Sequence, residues 1–182
     1  MKRCALGSLL CLCVCFYPAI AQQPQKPLAV EKAPKLPSSI EAKFERQKSV
    51  ADKIASQKKF SEAIPAYWSA YDLLPEPKQN LLQTTSVLAA IGEANFAVGD
   101  YEACRDNLSA AMHSPGAIGT PSIHLRLGAC QYELGNMARA ADELARAYIP
   151  VGKSVFREGD QKYLAFIKTK LLPPPGGWPN GW

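Results

Sequence analysis

Histidine is nearly missing from this sequence: 182 residues hold two, His113 and His124. Neither stands at ligand spacing from a cysteine, an acid or the other histidine. No metal centre is indicated, and no imidazole base with a visible partner. His113 ends a helical stretch, where a cation suits the helix dipole, and His124 falls at a packing position. A Gly-rich phosphate loop, a G-x-S-x-G elbow and a paired-histidine motif are also missing. No segment alternates apolar and polar residues for long enough to be a strand. Lysine pairs such as Lys58-Lys59 lack the interleaved aromatics of a nucleic-acid surface. The expectation is therefore no cofactor, no metal, no nucleic acid and no enzyme activity.

Cysteine is scarcer than its total of six suggests, because Cys4, Cys11, Cys13 and Cys15 all precede residue 16. They belong to a distinct beginning. Lys2 and Arg3 are followed by an apolar run over residues 5–17 and then by Pro18-Ala19-Ile20-Ala21, an A-x-A cleavage pattern. This reads as a secretory signal peptide, residues 1–21, cut after Ala21. A run of that length is shorter than the ~20 residues of a stable span, so no lasting membrane insertion is expected. A retained anchor and a lipidated cysteine are the competing readings. The mature chain, secreted or periplasmic, would keep Cys104 and Cys130. Both sit at small-residue packing positions. They are either plain core cysteines or, in an oxidising compartment, a disulfide between neighbouring helices.

Charge comes in blocks. Residues 22–59 carry nine Lys or Arg against four acids, residues 60–121 two against seven, and residues 122–182 eight against five. Solvated helix surface accounts for most of this, and the sign of each block could orient a partner. Residues 22–39, rich in Pro, Gln and Lys, read as a flexible linker. Helical periodicity then predicts helices at about 40–58, 61–74, 79–98, 101–113, 121–134, 137–150 and 159–172. Residues 173–182, rich in Pro, Gly and Trp, read as an extended tail.

A repeat runs through the helical part. Gly92, Gly99, Tyr101, Cys104, Leu108 and Ala111 recur 36 residues later as Gly128, Gly135, Met137, Ala140, Leu144 and Ala147. Leu88/His124, Ile91/Leu127 and Phe96/Tyr132 keep that offset. A weaker copy upstream has Phe60, Ala63, Tyr67 and Ala70 at the same spacings, with Ala51 and Lys58 where the later copies have glycine. These residues resemble the tetratricopeptide repeat, a helix–turn–helix of about 34 residues. The resemblance covers residues 44–150. It implies an all-α solenoid of about three helix pairs over residues 40–172, closed by a C-terminal capping helix with Tyr163, Leu164, Phe166, Ile167 and Leu171. The stretches PGAIGTPSIHLRLGACQYEL, AADELARAY, KYLAF and PPPGGW further resemble small exported bacterial tetratricopeptide proteins, relatives of which occur beside polymorphic toxins.

In such stacks the first helix of each pair lines the concave side. That places Glu93, Phe96, Leu125, Arg126, Tyr132 and Glu133 on the candidate partner face, with Ser86, Ala89 and Ser122 nearby and Lys48, Asp52 and Ala55 from the first repeat. Phe96 and Tyr132 read either as rungs for a bound peptide or as inter-repeat core. In the tail, Trp178 is expected to fold back on the last helix, and Trp182 is a possible partner contact. The implied function is an exported protein–protein interaction module, a scaffold gripping a peptide segment. The alternative is a periplasmic immunity protein that neutralises a toxin.

Overall fold

The structure, a computed structural model, describes residues 33–173 and 175–177. The expected signal segment, most of the linker, and Trp178 and Trp182 lie outside the described residues. Seven α-helices follow in order: α1 Ser38–Ser56, α2 Phe60–Asp72, α3 Leu82–Val98, α4 Tyr101–Ala111, α5 Pro121–Glu133, α6 Met137–Val151 and α7 Gln161–Lys168. Among the described residues there is no strand. Each helix packs on its chain neighbour, and α3 also meets α5 directly, so first helices lie side by side. This is a tetratricopeptide-like solenoid of three helix pairs with a C-terminal cap.

The hairpin turns show why the repeat spacing works. Gly99 and Gly135 take φ of +82° and +76°, the left-handed conformation that L side chains resist. Lys58, at the matching place in repeat 1, has φ of +61° and makes the same turn with a side chain attached. Within the pairs, a Cβ on Gly92 would stand 2.5 Å from Leu108 Cγ, and one on Gly128 would stand 2.8 Å from Leu144 Cγ. The missing side chain is what lets the second helix close down. Leu108 and Leu144 are buried in return, each stabilising the fold by about 1.5–3 kcal/mol.

Three apolar clusters run along the solenoid. The first joins α1, α2 and α3 around Phe44, Tyr67 and Ile91, and reaches back to Leu36. The packed region therefore begins inside what the sequence reads as linker. The second surrounds Cys104, Leu108, Leu127 and Cys130. The third joins α5 and α6 to the C-terminal segment through Leu125, Leu144, Phe156, Tyr163 and Ile167. Cys104 and Cys130 form a disulfide with Cα atoms 6.3 Å apart, stitching α4 of repeat 2 to α5 of repeat 3.

Two helix ends differ from the periodicity. The turn Lys78–Asn80 is a separate 3-10 piece, because Leu81 is extended (φ −101°, ψ 136°) and interrupts the helix. The last helix stops at Lys168 rather than near residue 172. Thr169 Oγ1 donates to the Phe166 carbonyl, an alternative to the helical ladder, and Pro173 disfavours helix in the residue before it.

Candidate binding face

Glu93 and Phe96 are three apart on α3; Leu125 and Arg126 are seven before Tyr132 and Glu133 on α5. These spacings put each set on one helix face. Because α3 and α5 are neighbours, the two faces merge, with Arg126 at the centre. Its Nε donates to Glu93 Oε2 at 2.8 Å and its Nη1 to Asp160 Oδ1 at 3.5 Å. Its guanidinium lies 4.0 Å from the centroid of the Phe96 ring. The Arg126 side chain is 14% exposed, so these partners replace most of its water. Burial pushes the Glu93 carboxyl above its ordinary range, and Arg126 opposes that rise.

The chain itself occupies part of this face. Tyr163 of α7 lies between Phe96 and Tyr132, with ring centroids 6.2 and 5.5 Å away, and Phe166 stacks edge-on to Tyr132 at 5.1 Å. Such ring pairs contribute about 0.5–1.5 kcal/mol each beyond area burial. The Tyr163 hydroxyl donates to Glu133 Oε1 at 2.5 Å, and Lys162 pairs with the same carboxylate. Burial raises the Tyr163 hydroxyl, and the Glu133 bond raises it further. Glu133 is held below its ordinary value. Burial alone would raise it, but the bonds from Lys162 and Tyr163 outweigh that.

The six candidate residues therefore do converge, but the C-terminal segment meets five of them, Glu133 through Lys162 and Tyr163 and Arg126 through Asp160. Phe96 and Tyr132 pack against α7, and Leu125 is buried in the same cluster. In repeat 1, Asp52 of the matching face is exposed, accepts from Tyr67 Oη of its own hairpin at 2.8 Å and pairs with Lys48 at 2.9 Å.

Two clefts that share Ser122 lie open on the face. One, of about 300 Å³, is apolar and lies between the N-terminal parts of α3 and α5, lined by Leu82, Thr85, Ser86, Ala89, Pro115 and Ile123. Its wall is fixed by Thr85 Oγ1, which donates to the Pro115 carbonyl at 2.8 Å, and by Thr120 Oγ1, which donates to the Gly116 carbonyl at 2.7 Å. The other, of about 470 Å³, is polar and lined by Glu93, Arg126, Ser154, Arg157 and Asp160. The sequence placed Ser86, Ala89 and Ser122 on this side. It did not mark Asp160, Ser154 or Arg157, which arrive from beyond the repeats.

His124 has a partner the sequence did not show. Its Nδ1 lies 2.7 Å from Glu143 Oε2, and its Nε2 lies 2.7 Å from the Ile118 carbonyl. Since a carbonyl only accepts, Nε2 is the donor there. The ring thereby pins the 112–120 loop, and with it the wall of the apolar cleft, to α5 and α6. Among the described residues, no group of three or more His, Cys, Asp or Glu is placed to hold a metal ion, and no helix is long and apolar enough to cross a membrane.

No protein-family model matches this chain, and no curated protein does. A solved structure does resemble it: the Yersinia enterocolitica type III secretion chaperone SycD, in complex with a peptide of the translocator YopD. The TM-score is 0.56 at 17% identity, over 70% of this chain and 92% of that one. At that identity the likeness establishes the fold, a helical tetratricopeptide-like repeat.

Proposed function

We propose that this chain is an exported protein-binding module that takes a segment of a partner protein on its first-helix face. The observation that carries this reading is the apolar cleft adjoining a charged one on that face, with an exposed leucine, Leu82, at its edge. An apolar recess beside a few fixed polar groups is the usual make-up of a recognition site. That SycD was solved with a peptide of its partner fits the same reading. Export rests on Lys2, Arg3, the apolar run over 5–17 and the A-x-A pattern, and the Cys104–Cys130 bond suits an oxidising compartment. The narrower reading, immunity to a toxin, rests on the resemblance to exported repeat proteins found beside toxins.

The test is retention of a partner from the envelope fraction by the mature chain and by Ser86→Trp and Ala89→Arg, which block the apolar cleft. The expected loss of affinity is tenfold or more, about 1.4 kcal/mol, with an unchanged melting curve. Equal retention by all three chains would exclude this cleft. An immunity role further requires that the retained partner be a toxin whose activity the chain blocks.

A further inference from the structure

Repeats 2 and 3 differ at one buried place in a way that hairpin packing does not explain. In repeat 2 the apolar Leu88 fills it, and Asn107, at the repeat position of Glu143, bonds back to the Ala103 carbonyl of its own helix. In repeat 3 the same two positions hold His124 and Glu143, whose side chains are 4% and 11% exposed and lie 2.7 Å apart. A buried ion pair rarely holds a fold together better than apolar packing of the same volume, and Leu88 shows that apolar packing suffices here.

The hydrogens of the pair point to another use. The Ile118 carbonyl only accepts, so Nε2 carries a hydrogen. The 2.7 Å between Nδ1 and Glu143 Oε2 also needs a hydrogen between them. The two bonds together therefore require one proton more than a neutral ring beside a carboxylate has. With that proton removed, a lone pair faces an oxygen at one of the two contacts, and one bond is given up.

What the Ile118 bond holds is the 112–120 loop, which supplies Pro115, Gly116 and Thr120 to the apolar cleft. Thr85 anchors the same loop to α3 through the Pro115 carbonyl. The wall thus has two anchors, and the one on α5 and α6 depends on a proton. Most other charges on the surrounding elements are paired: Arg146 with Asp142, Arg126 with Glu93 and Asp160, Glu133 with Lys162, and Arg105 with Asp106. Outside those pairs stand Glu102 on α4, Arg139 on α6 and the exposed His113 at the head of the loop.

We propose that His124 and Glu143 are a positioning pair for the apolar cleft, fixing its wall only while they share that proton, so that the chain holds a partner segment more tightly at low pH than at high pH. This rests on the reading of that cleft as a binding site and adds what controls it. Neither residue lines the cleft, and both act through the loop.

The test is amide exchange in the mature chain, read as protection factors for Ala117 and Thr120, whose amides donate to the Ser114 and Ala117 carbonyls. The scan covers about pH 5–8, where histidine charge changes. Wild-type protection is expected to fall about tenfold as pH rises, because the pinned loop binds the extra proton. Glu143→Gln supplies an amide N–H to Nδ1 in place of that proton, so its protection is expected to stay high and flat. His124→Leu combined with Glu143→Asn copies repeat 2 and is expected to be flat and low with the fold kept. His113→Gln is expected to follow wild type. A flat wild-type profile overturns the inference. So does a Glu143→Gln chain that falls with wild type, or a fall that His113→Gln abolishes. Retention of the envelope partner, read on the same chains, is expected to follow the protection factors, and full retention by the double variant also overturns the inference. If Ser86→Trp releases no partner, the broader reading fails, while the protection factors still decide whether the pair holds the wall.

Discussion

Repeat 1 and repeats 2 and 3 build the same hairpin from different side chains. Where the later repeats have glycine under a leucine, Gly92 below Leu108 and Gly128 below Leu144, repeat 1 has Ala51 and Tyr67. Where they turn on Gly99 and Gly135, repeat 1 turns on Lys58 with the same left-handed backbone. Where they carry Phe96 and Tyr132 toward α7, repeat 1 carries Ala55. The difference separates two jobs. The spacing of small and large residues makes the hairpin, and all three repeats have it. Close helix approach and the aromatic face belong to repeats 2 and 3, which also hold both clefts and the disulfide. Repeat 1 is a buttress for α3.

The largest expected break in this comparison is the disulfide, which has no counterpart in repeat 1. The double variant Cys104→Ser, Cys130→Ser releases a crosslink of sequence separation 26, and urea denaturation should show a loss of about 3.5 kcal/mol. A loss near zero would mean that the bond adds nothing to the packing between repeats 2 and 3.

Next come the close approaches. Gly92→Ala places a Cβ against Leu108 Cγ and should cost about 1–3 kcal/mol by overpacking. Ala51→Gly should also destabilise, by about 0.5–1 kcal/mol, for the opposite reason of helix-interior glycine entropy. Urea midpoints of the two variants check this. A neutral Gly92→Ala would remove the distinction between the repeats.

Glu133 should make repeat 3 sensitive to acid. The folded value of Glu133 lies below its ordinary 4.5. Its contribution is therefore complete above the unfolded value and is lost as pH falls through the folded one. Glu133→Gln should cost about 1–2 kcal/mol at pH 7, the scale of a hydrogen bond to a charged group, and progressively less below pH 4.5. The comparison with wild type cancels Glu93, whose raised value gives the opposite slope. Paired stability curves from pH 7 to pH 3 check the sign.

The last effect, on the scale of Ala51→Gly, is a gain. Lys58→Gly removes a side chain from a left-handed turn and should stabilise the fold by about 1 kcal/mol, measured as a higher urea midpoint. No gain would mean that Lys58 is not strained as its backbone indicates.

The hairpins could be read in the sequence because their determinants are local. Gly99, Gly135, Pro75 and Pro115 mark breaks, and the 36-residue offset of Gly92 and Gly128 marks where helices touch. Lys58 stood out as a departure, but a side chain does not announce its φ. The less accessible features join distant residues. The Cys104–Cys130 bond depends on a Cα separation that spacing does not encode. His124 and Glu143, 19 apart on different helices, obey no local rule. The six candidate face residues were found by repeat position, and they do meet. Their covering by α7 was not, since it depends on the path of residues 152–160 and no periodicity governs that path. The pattern Asp160, Tyr163, Phe166 at three-residue steps was the available signal.

Placing a photo-crosslinking residue at Ser86 on the first-helix face and, in a separate chain, at Asp106 on the exposed side of α4 tests the account most directly. Irradiation in cells making each chain should couple the partner at Ser86 and leave Asp106 unmodified. Coupling at Asp106 with none at Ser86 would contradict a first-helix binding face.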